Sequence, residues 1–263
     1  MQFKPKKSLG QNFLIDKNII KLIANVAEIN EKDTLLEIGP GTGNLTEELI
    51  SKKPKKIIVV EKDKILSKNL KNNYGNTIKI INDDILKIDE KKLSNDRMIF
   101  FGNLPYNIST QIFTKWIKLR KLNQISKKFI LMFQKEVADR IIETTNKKNY
   151  GRLAILTSWR MNVKKILDVL PNSFFPVPKV KSTILLIEPK NEYFIFKNAK
   201  NLEHVTKVFF NQRRKMIKKP LNLLFKNVSE ICKKHNININ DRPQNLEPKK
   251  YFELCREYEK LIS

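Results

Sequence analysis

The sequence predicts an α/β chain: a parallel sheet wound between helices, followed by a small all-helical end. Three observations carry that reading. Short apolar runs alternate with amphipathic stretches from about Thr34 to Pro189. The alternation stops near "EPKNEY" (188–193). Beyond it only helical patterns remain. Strand, helix and strand in series need a crossover each time, which makes neighbouring strands parallel and covers both sheet faces. A domain boundary is therefore expected near residue 190, with 1–190 forming the α/β domain and 191–263 a small helical one.

Taken in order, the strands are expected in "TLLEI" (34–38), "KIIVVE" (56–61), "TIKIIN" (77–82), "MIFFGN" (98–103) and "KFILMFQ" (128–134). Two more are expected near "MNVKKILDVL" (161–170) and in "STILLIEP" (182–189). Consecutive apolar residues bounded by turn residues fit strands buried on both faces. Helical patterns lie at 43–52, 63–73, 108–122 and 135–146. "VLPNSFFPVPKV" (169–180) carries three prolines, which exclude a helix and a central strand and leave a loop of defined shape. Near the C-terminus, 202–225 and 246–262 read as helices, the second with Pro248 in its first turn.

Composition narrows the classes. The chain has 263 residues, 41% of them hydrophobic, and reads as globular. No apolar run approaches the ~18 residues of a membrane span, and the N-terminus lacks the apolar core of a signal peptide. Cys232 and Cys255 are too far apart for a C-x-x-C pair. With only His204 and His235 beside them, neither a disulfide framework nor a metal centre is expected. A reducing cytoplasm fits. The net charge of +25 suits a polyanionic partner, nucleic acid before membrane. A second cause stands beside it. Nine arginines against 43 lysines, with abundant Asn and Ile, is what an A/T-rich genome yields by codon composition alone.

The chemistry lies at the ends of the expected strands. "LLEIGPGTGNLTEEL" (35–49) runs strand, then Gly39, Gly41 and Gly43, then helix. Glycines permit positive φ and close approach of a ligand to the backbone. A dinucleotide site wants G-x-G-x-x-G, whereas G-x-G-x-G suits a nucleoside cofactor without a pyrophosphate, namely S-adenosylmethionine. A merely tight strand–helix turn is the plainer reading. Glu61, at the tip of the second strand, stands where an acid accepts hydrogen bonds from both ribose hydroxyls, with Asp63 free to cap the next helix. "INDDIL" (81–86) places Asp83 and Asp84 after the third strand, one of them facing a cofactor adenine or both in an ordinary loop.

"MIFFGNLPYNIST" (98–110) ends the fourth strand with an amide, a proline and a phenol at the carboxyl edge, where open α/β sheets bind ligands. The amine of adenine is a poor nucleophile because its lone pair is delocalised into the ring. The Asn103 side-chain oxygen and the Leu104 carbonyl would accept its two N–H bonds and draw the nitrogen toward tetrahedral geometry. The lone pair then points at a sulfonium methyl. Pro105 fixes the turn and Tyr106 offers a face for the base. The plainer reading is a strand-to-helix loop capped by Asn107 or Ser109.

At these residues the chain resembles the small-subunit rRNA adenine-N6,N6-dimethyltransferases. The likeness runs through "LGQNFL" (9–14), "EIGPGTGNLT" (37–46), "VVEKD" (59–63), "NDDIL" (82–86), "FGNLPYNIST" (101–110), "LMFQKEVADR" (131–140), "YGRL" (150–153), "FFPVPKVKS" (174–182) and "FNQRRK" (210–215). The resemblance implies a Rossmann-like, seven-stranded methyltransferase sheet with a small helical domain after it. It implies that two adjacent adenosines near the 3′ end of 16S rRNA, in the 30S subunit or its precursor, are dimethylated during late assembly. Asn12 and Leu14 would close over the cofactor, and Gly39, Gly41, Glu61, Asp84 and Asn103 would complete its site. Phe174 would stack on the target base opposite Tyr106. Lys181 departs from the family, which often has an acid there. Arg213, Arg214 and Lys215 are the expected phosphate contacts, a solvated helix face being the alternative. The expected state is a monomer.

Two rivals remain at this level. One is a dimethyltransferase of the same fold that modifies a large-subunit adenine; it usually carries Ile at the position of Leu104 and lacks a match to "FNQRRK". The other is an RNA-binding assembly factor that kept the fold without the chemistry.

Overall fold

The computed structural model describes residues 5, 6 and 9–262. The chain divides into two compact units. The first holds the chain up to Ala138 together with Asn162–Pro189, and the second holds Asp139–Met161 together with the chain from Lys190.

In chain order the first unit runs β1 (Phe13–Leu14), α1 (Lys17–Val26), β2 (Thr34–Ile38), α2 (Asn44–Ser51), β3 (Lys56–Val60), α3 (Lys64–Tyr74), β4 (Lys79–Ile81), β5 (Met98–Asn103), α4 (Ser109–Ile117), α5 (Leu122–Ile125) and β6 (Ser126–Gln134). The helix α6 (Lys135–Ile142) leads out of it, and α7 (Arg152–Arg160) lies in the second unit. The first unit then resumes with β7 (Met161–Val169), β8 (Phe174–Phe175) and β9 (Ser182–Pro189). The second continues with α8 (Ala199–Phe210), α9 (Lys218–Leu224), α10 (Val228–His235) and α11 (Pro248–Leu261).

Seven strands form one sheet in the order β4-β3-β2-β5-β6-β9-β7. The pairs β2–β3, β3–β4, β2–β5 and β5–β6 are parallel, whereas β6 and β9 are antiparallel. The sheet is thus mixed, not wholly parallel as the alternation suggested. No α-helix separates β7 from β9, so the chain's last strands lack the crossover that parallel winding requires. The winding reverses at β2, whose neighbours β3 and β5 lie on opposite sides. The register levels the carboxyl ends there, with Ile38 opposite both Val60 and Gly102. Such a switch point opens a crevice beyond the strand ends.

Burial on both faces follows from the apolar rows. On one face Phe100 packs edge-on to Trp116 of α4 at 5.3 Å and tilts against Phe129 of β6 at 4.7 Å. Its neighbours Ile99 and Phe101 join the core of the other face with Ile20, Ile23 and Leu49 from α1 and α2. Asp63 caps α3 by accepting from the Ile65 N–H, and Asp16 caps α1 likewise.

Two expectations need correction. The expected helix at 202–225 is two helices, α8 and α9, because the polar run "NQRRK" offers no apolar stripe and Pro220 sits in a new first turn. The boundary also differs. The 139–161 stretch belongs with the C-terminal helices, since α7 is buried on nearly all sides and Trp159 packs on Phe196 at 5.1 Å. Tyr150 donates to the Leu246 carbonyl in the same unit.

Candidate active site

The carboxyl ends of β2, β3, β4 and β5 border one cavity. Its wall takes in Gly39, Gly41, Glu61, Asp84, Asn103 and Tyr106, with Asn12 and Leu14 from the N-terminal segment. The glycine turn is built as its residues demand. Gly39 has φ +64° and its missing Cβ faces open space, the nearest atom being the Asn103 carbonyl oxygen at 4.0 Å. Gly41 has φ +61°, and a Cβ there would sit 2.7 Å from a Phe13 ring carbon. Only glycine lets the N-terminal segment lie this close to the turn.

Glu61 is buried and anchored. Its two carboxylate oxygens accept from the Gly41 N–H at 3.2 Å and the Asp63 N–H at 2.8 Å. Burial raises its pKa, and these two N–H groups oppose the rise. Asp84 accepts from Lys62 at 2.9 Å and from the Leu86 N–H at 2.9 Å, and the lysine bond is the main cause of its lowered pKa. Asp83 and Asp84 both border the cavity.

The Asn103 amide has a fixed orientation. Its Nδ2 donates to the Asn12 carbonyl at 2.7 Å. Among the described residues its Oδ1 has no hydrogen-bond partner, so an acceptor is left at the cavity. The following turn leaves a second one. Ile108 N–H takes the Pro105 carbonyl and the Ser109 hydroxyl takes the Tyr106 carbonyl, while no described donor reaches the Leu104 carbonyl. Asn103 Oδ1 and the Leu104 carbonyl are therefore the two spare acceptors of "NLPY".

Tyr106 is half-buried, and its hydroxyl shares a 2.6 Å hydrogen bond with the Ser182 hydroxyl. Burial raises its pKa, and the Ser182 bond works against the rise. Phe174 does not join this group. It is 1% exposed and belongs to the core cluster with Leu14 and Ile184. In the ribbon of β1 and β8 it stands opposite Leu14, while Phe175 stands opposite Phe13. Alternation along a strand turns one of two neighbours inward, so the exposed ring, at 56%, is Phe175. Arg213, Arg214 and Lys215 lie in the turn between α8 and α9. Arg214 and Lys215 are exposed, and Arg213 donates to the Lys147 carbonyl at 3.1 Å.

Sequence reasoning missed three groups. Glu37 is fully buried in β2 and borders the cavity. Desolvation lifts its pKa to about 7, against a 2.7 Å bond from the Thr46 hydroxyl and with help from nearby Glu61. Its signal was an acid inside the apolar run "TLLEI". Asp63 does more than cap α3: Lys6 and Gln11 hold it at 2.8 and 3.2 Å, tying the N-terminal segment beside the cavity. Ser182 had no signal, because its partner lies 76 residues away.

Among the described residues, no cluster of three or more His, Cys, Asp or Glu is arranged to hold a metal. Among the same residues no helix is long and apolar enough to cross a membrane.

Residues 2–260 match the family model described as ribosomal RNA adenine dimethylase. A protein of Pelagibacter ubique called ribosomal RNA small subunit methyltransferase A is 55% identical over 261 residues, spanning 99% of each chain. A crystal structure of a dimethyladenosine transferase from Plasmodium falciparum superposes with a TM-score of 0.79 at 27% identity, over 94% of this chain and 98% of that one. The 23S rRNA methyltransferase ErmE shares the fold, with a TM-score of 0.69 at 24% identity over 94% and 99%. On the family match and the identity to the Pelagibacter protein, both reaching nearly end to end, this chain belongs to the ribosomal RNA adenine dimethylase family.

Proposed function

We propose that this enzyme dimethylates the N6 amines of two adjacent adenosines in the 3′-terminal hairpin loop of 16S rRNA, using S-adenosylmethionine, and so acts in small-subunit biogenesis. The observation that carries the reading is the held Asn103 amide, whose spare oxygen borders the same cavity as the glycine turn. The donor set fits a nucleoside cofactor. Gly39 leaves room above the backbone, Glu61 presents carboxylate oxygens and Asp84 borders the adenine side. Bound there, S-adenosylmethionine supplies an electrophilic sulfonium methyl.

The chain's own groups do the remainder. Asn103 Oδ1 and the Leu104 carbonyl accept the two N–H bonds of the target amine, so its lone pair leaves the ring plane and faces the methyl. Pro105 holds the turn and Tyr106 stacks on the base. The ammonium first formed is acidic and gives its proton to water, so no dedicated base is needed. An adenine in this cavity has left its own stack, which costs a few kcal/mol and calls for phosphate contacts elsewhere. Arg214 and Lys215, with Arg213 beside them, supply part of that surface. The partner is the 30S particle or its precursor, the working unit a monomer and the setting the cytoplasm.

Mass spectrometry of 16S rRNA from cells with and without the gene tests the reading. Two dimethyladenosines should vanish with the gene; their persistence overturns it. Purified enzyme should label 30S particles lacking these methyls, and label confined to 50S particles would assign it to the large subunit instead.

A further inference from the structure

We infer that Ser182 is a positioning residue for methyl transfer: it fixes the direction in which the Tyr106 ring points and so keeps the ring against the target adenine. The inference rests on the function proposed above and adds a group to that same site.

Tyr106 sits in a loop, and a ring on a loop is free to swing about χ1 unless its far end is held. Here the far end is held by a 2.6 Å bond to the Ser182 hydroxyl. Ser182 is fully buried at the first position of β9. There it pairs with Gln134 of β6, and next to it the Lys181 carbonyl accepts from the Lys135 N–H at 2.9 Å. The hydroxyl therefore belongs to the sheet, two strands away from the β5 end that launches the Asn103–Tyr106 turn. The bond bridges that gap. It restrains the ring from the side opposite its own backbone, in a half-buried setting where a neutral hydrogen bond keeps more of its strength.

The chemistry gives this restraint a use. The amine must stay fixed between two acceptors while its lone pair meets the methyl, and small misplacements of a reacting group cost rate steeply. A ring that wobbles lets the adenine tilt out of that geometry without lowering cofactor affinity. Neither hydroxyl reacts, so Ser182 acts only through Tyr106.

A double-mutant cycle on the full-length protein tests this, with unmethylated 30S particles and S-adenosylmethionine as substrates. Ser182→Ala and Tyr106→Phe should each lower kcat about five- to tenfold, the worth of one neutral hydrogen bond. The double variant should lose no more than either single one, because both remove the same bond. KM for the particle and the calorimetric dissociation constant for S-adenosylmethionine should stay within about twofold of wild type, a split that a general loss of structure would not produce. Losses that multiply in the double variant, an unchanged kcat in Ser182→Ala, or a parallel loss of cofactor affinity each overturn the role of Ser182. A wild-type protein that leaves 16S adenosines unmodified overturns the function itself, so the two failures are told apart by the wild-type lane.

Discussion

Three side chains carry predictions of their own. Asn103→Ala removes the spare acceptor and the Nδ2 bond to the Asn12 carbonyl together. Methyl transfer should fall about 10²–10³-fold, the scale set by losing one preorganised transition-state contact. Single-turnover assays check this, and near-wild-type rates would end the amide's role. Glu37 predicts a pH effect. Its pKa rises on folding from 4.5 to about 7, so the folded state holds the extra proton between those values. Stability therefore drops as pH climbs through that window, and the loss is complete above it. Glu37→Gln keeps an oxygen for the Thr46 hydroxyl and cannot ionise. Its stability relative to wild type should widen from near zero at pH 4.5 to about 3 kcal/mol above pH 7, measured by denaturant unfolding across pH. A difference that stays constant would show that Glu37 titrates normally. Phe174 separates packing from stacking. As a core residue, Phe174→Ala should cost about 3–5 kcal/mol in the absence of any RNA, whereas the exposed Phe175→Ala should leave stability nearly unchanged. A stable Phe174→Ala protein with impaired turnover would return the ring to the target base.

At the scale of elements, the loop after β4 and the helix after the "NLPY" turn are locked together. Glu90 is fully buried in the short 3₁₀ turn Glu90–Lys92 and accepts from Lys115 Nζ and Trp116 Nε1, both at 2.7 Å. Lys115 also donates to the Ile85 carbonyl at 2.7 Å, next to Asp84. So α4, which follows "NLPY", grips the loop that carries Asp84 to the cavity. Glu90→Ala leaves Lys115, a half-buried cation, with carbonyl partners only and Trp116 Nε1 with none from Glu90, and should cost about 1–3 kcal/mol, with weaker S-adenosylmethionine binding by calorimetry. Unchanged stability would mean water replaces the carboxylate. None of this clamp is legible in the sequence, because Glu90 and Lys115 lie 25 positions apart in ordinary charged surroundings. What is legible is local. The apolar rows name the strands because a strand buried on both faces has no polar side to show. The positive φ of Gly39 and Gly41 is written in their identity. Strand direction is not: "STILLIEP" reads alike whether it runs with β6 or, as found, against it. The ends of a helix are also lost where a polar turn such as 211–217 still counts as helix-compatible. Phe174 and Phe175 show the same limit at one step. The pair is visible, but only the ribbon register decides which ring turns inward.

For the whole molecule the open matter is its charge of +25, which RNA affinity and codon composition explain equally well from sequence. The structure supplies a way to separate them, because the two causes place working charges differently. Composition scatters lysines without regard to a partner. Lys17 and Lys21 on α1 are exposed, and among the described residues their side chains have no hydrogen-bond or ion-pair partner, which makes them fair samples of that background. Affinity concentrates charge where phosphates lie, and the exposed Arg214 and Lys215 are the proposed place. Each phosphate contact releases condensed counterions and steepens the fall of log K with log salt by about 0.7–0.9. Arg214→Ala with Lys215→Ala should therefore flatten the salt slope for 30S binding by about 1–2 and weaken binding at low salt, leaving cofactor affinity alone. Lys17→Ala with Lys21→Ala removes the same formal charge. It should change the slope far less, because charges separated from the RNA by more than the ~8 Å Debye length are screened at physiological salt. Equal slopes in the two double variants would mean that the charge acts as a diffuse field with no dedicated phosphate surface, and composition would then suffice to explain it.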